Sequence, residues 1–305
     1  MNDRTSISSV EAELIAVIVA VTEGEARVLT TGGGEGLPSG PFEQSHRSLQ
    51  AGLRSWVQRQ TGQSLGYVEQ LYTFADRDRT DTGGSRVVSI SYLGLTREVR
   101  DGAILEGAAW KSWYRYFPWE DHRAGPPLMI TAQLLPALRA WAEAAADAAT
   151  LRHRLQRIAI DFAGDGAAWN EELVLQRYEL LFEAGLVEEA GQGAVGGAPM
   201  RHDHRRILAT GIARLRAKIK YRPVVFELMA ETFTLLQLQR TVEALAGRPL
   251  HKQNFRRLIE QQELVEETGI QADTGGRPAR LFRFRRRVLE ERAVAGTKLP
   301  LVRPI

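Results

Sequence analysis

Residues 234–262, TLLQLQRTVEALAGRPLHKQNFRRLIEQQ, have the pattern of two short amphipathic helices joined by a Gly-Arg-Pro turn. Thr234 and Gln237 fit a capping box, in which the hydroxyl accepts a backbone N–H and the amide reaches back to the first residue. The second helix is predicted at about His251–Gln262, and a shorter helix beginning at Pro223 precedes both. The apolar positions of the two longer helices are Leu235, Leu238, Val242, Leu245, Phe255, Leu258 and Ile259. Three short helices in this order predict a helix-turn-helix unit.

The residues after these helices predict a β-hairpin. Leu264–Thr268 is expected to be a strand, Gly269–Gly276 a loop and Arg280–Arg286 a second strand, in which phenylalanines alternate with arginines. A hairpin that follows a helix-turn-helix unit forms the wing of a winged helix domain, which we place at residues 205–291.

Charge is divided unevenly along the chain. Residues 201–305 hold 22 Lys and Arg against 11 Asp and Glu, whereas residues 1–200 hold 18 against 26. A basic region behind an acidic one is typical of a regulatory module joined to a nucleic-acid-binding module. We therefore expect double-stranded DNA as a partner, read by the second helix and held by the wing. The residues expected to contact DNA are Lys252, Gln253, Asn254, Arg256, Arg257, Arg277, Arg280, Arg283 and Arg285. The alternatives are a solvated basic face and a winged helix that docks protein.

Composition excludes several kinds of site. The chain has no cysteine, so disulfides, thiolate catalysis and cysteine zinc sites are excluded. The first apolar run, Leu14–Val21, is shorter than the roughly 20 residues of a membrane span, and its flanks are not those of a signal peptide. His202 and His204 beside Asp203 are more often solvent-facing than metal-binding, so no metal or cofactor is expected. These observations predict a cytoplasmic protein with no membrane partner.

The N-terminal region predicts alternating strands and helix. Leu14–Val21 and Glu25–Thr30 form a predicted hairpin, followed by a glycine-rich loop. A helix is expected over Ser48–Gln60, ending at Gly62, and strands over Gly66–Phe74 and Val87–Leu95. This order predicts an α/β or α+β fold built in layers, of which we favour α+β.

The middle of the chain predicts helices and a linker. Trp110–Trp119 holds six aromatic residues, which favour either a core or dimer-interface cluster or a base-stacking surface. Ile130–Leu155 is predicted to be helical, and Asn170 to cap a helix that ends near Gly185. Ala190–Pro199 contains four glycines and is expected to be an interdomain linker.

The helix at residues 48–62, SLQAGLRSWVQRQTG, resembles that of a Nudix box, G-x5-E-x7-R-E-U-x-E-E-x-G. With Gly62 aligned, Val57 and Gly62 keep the pattern. Positions that the family fills with Gly, Glu, Arg, Glu, Glu and Glu are occupied here by Pro41, Arg47, Ser55, Trp56, Arg59 and Gln60. In Nudix enzymes the glutamates hold Mg²⁺, which polarises a diphosphate and activates water. The resemblance therefore implies a Nudix-like domain without hydrolase activity.

A wider resemblance covers about residues 10–287. The segments EQLYTFADRDR (69–79), SRVVSISYLGL (85–95), GRPLHKQNFRRLIE (247–260) and GRPARLFRF (276–284) are similar to Nudix-related transcriptional regulators of NAD metabolism, the NrtR type. The segment YFPWEDHRAGP (116–126) is closer to the NadQ-type branch.

The resemblance implies a homodimer that represses genes of NAD biosynthesis or salvage. It implies a Nudix-like α/β/α sandwich domain at 1–160, a helical connector and linker at 161–204, and a C-terminal winged helix-turn-helix domain. Residues 292–305 are a predicted tail, either disordered or a dimer strap. The implied effector is NAD, ADP-ribose or an ATP-like nucleotide.

Three groups of residues are candidates for the effector site. Arg77 and Arg79 beside Tyr72 fit contacts to phosphate or ribose, although a solvated mixed-charge loop is the alternative. The cations of the box helix, Arg54 and Arg59, fit a diphosphate that needs no metal, or a plain surface role. Trp113 and Arg115 fit stacking and cation–π contact with a base, or a core position.

Together these features predict a ligand-responsive DNA-binding repressor whose two-fold symmetry matches a palindromic operator. The competing function is an active Nudix hydrolase of ADP-ribose or NAD(H) with an appended winged helix.

Overall fold

The N-terminal half of the protein is organised around a mixed six-stranded sheet. The computed structural model describes residues 10–75, 86–98, 104–164, 168–191, 195–272 and 278–285. The strands are β1 (Val10–Thr22), β2 (Glu25–Thr30), β3 (Ser39–Pro41), β4 (Tyr67–Phe74), β5 (Arg86–Leu95) and β6 (Ala109–Ser112). Their order is β4-β5-β1-β2-β6, with β3 on β1. The predicted hairpin is confirmed, since β1 and β2 pair antiparallel from Val19 opposite Val28 to Thr22 opposite Glu25.

Helix α1 (Leu49–Thr61) covers one face of the sheet. The Ser48 hydroxyl accepts the Ala51 N–H at its start, and Gly62 ends it at a φ of 73°, as the sequence predicts. The period-2 alternation of β1 sends Leu14, Ala16, Ile18 and Ala20 into a cluster with α1, and Ile15, Val17 and Val19 into the other core. Each face of the sheet is therefore buried.

Helix α5 (His204–Lys218) lies across the opposite face. Leu208, Ile212 and Leu215 lie on one side of this helix and are all buried. Gly211 permits the contact, since a Cβ at that position would lie 2.8 Å from the Val17 Cγ1. The result is an α/β/α arrangement, so α5, which the sequence assigned to the winged helix domain, packs on the N-terminal sheet.

Further helices connect the sheet to the C-terminal region. A π-helical turn, Ile130–Leu134, leads into α2 (Leu135–Glu143), which is followed by α3 (Ala148–Asp161) and α4 (Val174–Glu183). The single helical stretch expected over Ile130–Leu155 is thus two helices, because Asp147 caps a new one by accepting the N–H groups of Ala149 and Thr150. The prediction that Asn170 caps the next helix is wrong, because α4 begins after Leu173 and the Asn170 carboxamide accepts the Glu172 N–H in the turn before it.

The glycine-rich segment before α5 is packed rather than extended away from the sheet. The Val195 N–H donates to the Leu186 carbonyl, and the Ala198 N–H donates to the Arg115 carbonyl. Gly197 has a φ of 78°, and a Cβ there would lie 2.3 Å from the Tyr116 carbonyl oxygen. The division into domains at this segment stays a prediction.

The C-terminal elements follow the predicted order. They are a 3-10 helix (Val224–Leu228), α6 (Leu235–Ala246), α7 (Lys252–Gln261), β7 (Val265–Ala272) and β8 (Ala279–Phe284). The capping box is present, with Thr234 and Gln237 exchanging hydrogen bonds as expected. Within the described residues no helix combines the length and apolar character that crossing a membrane requires.

One prediction for the hairpin is wrong. Strand β7 continues past Gly269, where the sequence predicts a loop to begin. The register shifts between Glu267 and Gln271, and Gly269 takes a φ of 76°. A glycine at positive φ accommodates a bulge that lets the strand resume pairing, whereas from sequence alone it signals a turn.

Candidate nucleic-acid interface and effector site

Helix α7 presents a polar face to solvent. Phe255 and Ile259 anchor it in the core at 8% exposure each. Helical periodicity places Gln253 and Arg257 opposite these anchors, with Asn254 and Arg256 on the two flanks. Lys252, Gln253, Asn254, Arg256 and Arg257 are all exposed. The side chains expected to read base edges are therefore accessible on one helix.

The wing is less basic than the sequence suggests. Arg280 pairs with Glu267 at 3.3 Å, Arg283 with Glu266 at 2.5 Å, and Arg285 with Glu263 at 3.1 Å. The antiparallel register places Glu266 directly opposite Arg283, and the other two pairs form across the same hairpin. These pairs could not be predicted from each strand taken by itself. Arg277 lies outside the described residues. Because these pairs are exposed, exchanging a carboxylate for a DNA phosphate costs little.

Removing the wing carboxylates will strengthen DNA binding. In a Glu266→Gln/Glu267→Gln variant, Arg280 and Arg283 are free to neutralise phosphates. We expect a several-fold gain in affinity for all DNA sequences and a steeper salt dependence, up to about one unit of log–log slope per added phosphate contact. The measurement is fluorescence anisotropy over a salt series, with Glu183→Gln on α4 as the control. An unchanged slope would show that the wing does not contact phosphate.

The degenerate box positions of α1 have structural partners. The Gln60 carboxamide accepts the Ser39 N–H and donates to the Ser39 carbonyl, so it ties α1 to β3. The Trp56 ring lies over Gly40, where a Cβ would be 2.3 Å from the indole, and its Nε1 donates to the Pro41 carbonyl. The Arg59 guanidinium lies 3.9 Å from the centre of the Trp56 ring. No group of three or more His, Cys, Asp or Glu in the described ranges is placed to hold a metal.

The predicted effector residues that lie in the described part of the chain do not converge on one place. Arg54 donates to the Leu65 and Gly66 carbonyls, on the α1 side of the sheet. Trp113 belongs to the core on the other side and is 0% exposed, so the core alternative holds for this residue and the expectation that its ring stacks on a base is wrong. Packing against apolar neighbours, which the local sequence does not show, is what buries this side chain. Tyr72 and Arg115 are exposed. Arg77 and Arg79 lie outside the described residues.

The C-terminal region matches a known family of DNA-binding domains. Residues 225–284 match the family model described as the NrtR DNA-binding winged helix domain. The chain carries an NrtR-type winged helix domain. The resemblance drawn from the Gly247–Glu260 and Gly276–Phe284 motifs is thus confirmed.

Similarity to a named relative is confined to part of the chain. An Acinetobacter baylyi protein, named ADPR responsive transcriptional repressor NtrR, is 40% identical over 82 residues. The match covers 27% of this chain and 33% of that protein, so it extends over about a third of the relative's length.

Similarity in structure extends over almost the whole chain. Shewanella oneidensis NrtR, solved with a 27mer DNA, matches at a TM-score of 0.55 and 20% identity, over 92% of this chain and 95% of that one. A MutT/nudix family protein from Enterococcus faecalis matches at 0.54 and 14% identity, over 93% and 90%. The predicted fold class, a Nudix-like domain followed by a winged helix, is confirmed.

A buried charge cluster lies next to the NrtR-type winged helix. The Glu120 carboxylate accepts from Arg177 at 2.6 and 3.0 Å and from Arg216 at 2.5 Å. Glu120 is 1% exposed and both arginine side chains are 0% exposed. Burial alone would raise the pKa of the Glu120 carboxyl, but the two guanidinium groups outweigh it and hold the pKa below its usual value. Glu120 is therefore ionised at neutral pH.

The same cluster fastens the winged helix to the sheet domain. The Arg216 Nε donates to the Leu245 carbonyl at the end of α6, and the Tyr114 hydroxyl donates to the Ala244 carbonyl at 2.6 Å. Gly247 has a φ of 72°, and a Cβ there would lie 2.4 Å from the Glu120 carbonyl oxygen. The glycine of the Gly-Arg-Pro motif thus both ends α6 and permits close packing on Glu120. This contact between the domains was not predicted from the sequence, because Glu120 and Arg216 are separated by 96 residues of chain.

Proposed function

We propose that the protein is a ligand-responsive, DNA-binding transcriptional repressor of NAD biosynthesis or salvage genes. The observation that carries the proposal is the exposed polar face of α7 within an NrtR-type winged helix domain. Arg and Gln side chains match the donor and acceptor patterns of base edges in the major groove. The Acinetobacter baylyi relative is named a transcriptional repressor, which supports this function.

A homodimer on a palindromic operator completes the proposal. A single short recognition helix contacts few base pairs, and a two-fold dimer doubles the contacts at half-sites about one helical turn apart. In vitro selection of DNA by the full-length protein tests this. We expect enrichment of an inverted repeat, together with a dimer in sedimentation. Recovery of unrelated sequences would argue against sequence-specific reading, and a single half-site bound by a monomer against the dimer.

We also propose that the Nudix-like domain binds an NAD-related nucleotide without hydrolysing it. ADP-ribose is the favoured effector, because the Acinetobacter baylyi relative is named ADPR responsive. NAD and ATP remain candidates. Isothermal titration of the three nucleotides distinguishes them, and binding of none would overturn the sensing role.

The second candidate function is hydrolysis, which the structural similarity to a MutT/nudix family protein favours. The box positions argue against it, because Trp56, Arg59 and Gln60 stand where magnesium ligands are needed and already have other partners. We expect no Mg²⁺-dependent turnover of ADP-ribose or NADH above a no-protein control. Turnover that chelation of Mg²⁺ abolishes would establish the hydrolase instead.

A further inference from the structure

A cavity lies within the winged helix domain, beneath the DNA-reading helix. It has a volume of about 590 Å³ and lies between the end of α5, the 3-10 helix, α6 and α7. Binding sites for small molecules usually measure about 300–1,000 Å³ and are mostly apolar with a few polar groups. The cavity is therefore large enough for a small organic ligand.

The walls of the cavity are apolar. They are formed mainly by Val225, Phe226, Leu238, Val242, Phe255 and Ile259. Two of the apolar lining residues remain exposed, Leu258 at 50% and Tyr221 at 57%. A ligand with an apolar body would cover this surface, which the described residues leave open to water.

Positively charged residues are common in the lining of the cavity. They are Arg216, Lys220, Arg222 and Arg248, of which Lys220 and Arg248 are about half exposed and lie close together beside Glu171. The one carboxylate among the lining residues is Glu171, which lies 2.9 Å from the Lys220 Nζ and 3.4 Å from the Arg248 Nη2. Lys220 also pairs with Glu172 at 2.6 Å. Four lining cations against one lining carboxylate favour a ligand that carries negative charge.

We propose that this cavity binds an amphipathic organic anion, with an aromatic or aliphatic body in the apolar part and an acidic group at Arg248 and Lys220. A nucleotide fits poorly, since its sugar and diphosphate would lie against apolar walls. The site is thus separate from the nucleotide site proposed for the Nudix-like domain.

Occupancy of the cavity acts on DNA binding through α7. Phe255, Leu258 and Ile259 line the cavity, while Gln253 and Arg257 project from the opposite side of the same helix. Arg216, which joins the two domains, lines the cavity too. A ligand that fits only one position of α7 therefore shifts the DNA affinity.

The test uses the aromatic sulfonate 8-anilinonaphthalene-1-sulfonate as a probe of the full-length protein. We expect saturable fluorescence enhancement with one site per chain. Arg248→Gln should weaken binding by about tenfold, the loss that follows from one charge-assisted contact. Arg240→Gln, at an exposed position of α6 outside the cavity, is the matched control and should bind as the parent protein does.

A second variant tests the apolar part of the cavity independently of Arg248→Gln. Val242→Trp fills the cavity and should abolish saturable binding while circular dichroism stays unchanged. If that variant does not fold, Leu258→Gln at the cavity opening replaces it. Equal binding by the parent, Arg248→Gln and the cavity variant would overturn the proposal, as would enhancement that does not saturate. Neither result depends on DNA or nucleotide binding, so failure here is distinguishable from failure of the proposed function.

Discussion

Replacing Glu120 with glutamine will lower the free energy of unfolding by about 3–5 kcal/mol, the range seen when one partner of a buried ion pair is removed. The change leaves Arg177 and Arg216 buried without a counter-charge, and each side chain is 0% exposed. Urea denaturation monitored by circular dichroism measures the loss. The variant should still bury similar surface, so the midpoint will shift while the slope stays nearly constant.

The matched control is Glu183→Gln, which breaks the pair with Arg157. Those side chains are 49% and 28% exposed, so the expected loss is less than about 1 kcal/mol. Equal effects of the two substitutions would contradict the role given to the buried cluster.

The same cluster predicts a pH dependence. Because the folded state holds the pKa of Glu120 below its usual value, the unfolded chain binds a proton at higher pH than the native chain does. The stabilisation is complete above the unfolded-state pKa of about 4.3 and is lost as the pH falls towards the lower native value. The stability of Glu120→Gln should therefore fall less steeply in this range than that of the parent.

Removing base-reading side chains from α7 has the second large effect. Gln253→Ala and Arg257→Ala should each cost about 1–3 kcal/mol on the selected operator and much less on scrambled DNA, because a lost base contact lowers discrimination. Competition titrations with both duplexes measure the difference. Arg139→Ala, at an exposed position of α2, removes a cation elsewhere and should leave both affinities unchanged.

The outcome for Arg257→Ala separates base reading from general charge. A fall of equal size on operator and scrambled DNA would assign Arg257 to phosphate contact. No fall on either duplex would show that α7 does not contact DNA and would favour a winged helix that docks protein.

Much of the fold was predictable because its signals are local. Ser48 and Gly62 bound α1, and Thr234 with Gln237 begin α6, since capping depends on side chains within one turn of the backbone. The apolar run Leu14–Val21 likewise indicated a strand. Each of these signals spans a few residues, so the sequence alone carries it.

The joint between the domains was not predictable in the same way. Glu120 meets Arg216 across 96 residues of chain, and nothing local distinguishes these charges from solvated ones. Trp113 illustrates the same limit, because an aromatic residue flanked by Ser112 and Tyr114 fits a stacking surface as well as a core until the fold buries it. The ion pairs of the wing depend on the register between β7 and β8, which the sequence of either strand does not determine.

The most direct test of a nucleotide-responsive repressor is the affinity for a labelled operator duplex with and without ADP-ribose. We predict binding that exceeds scrambled DNA across a salt series and that changes about fivefold or more on adding ADP-ribose, the usual lower range of allosteric coupling. Equal affinity for operator and scrambled DNA at every salt concentration, unaffected by ADP-ribose, NAD or ATP, would contradict the central claim.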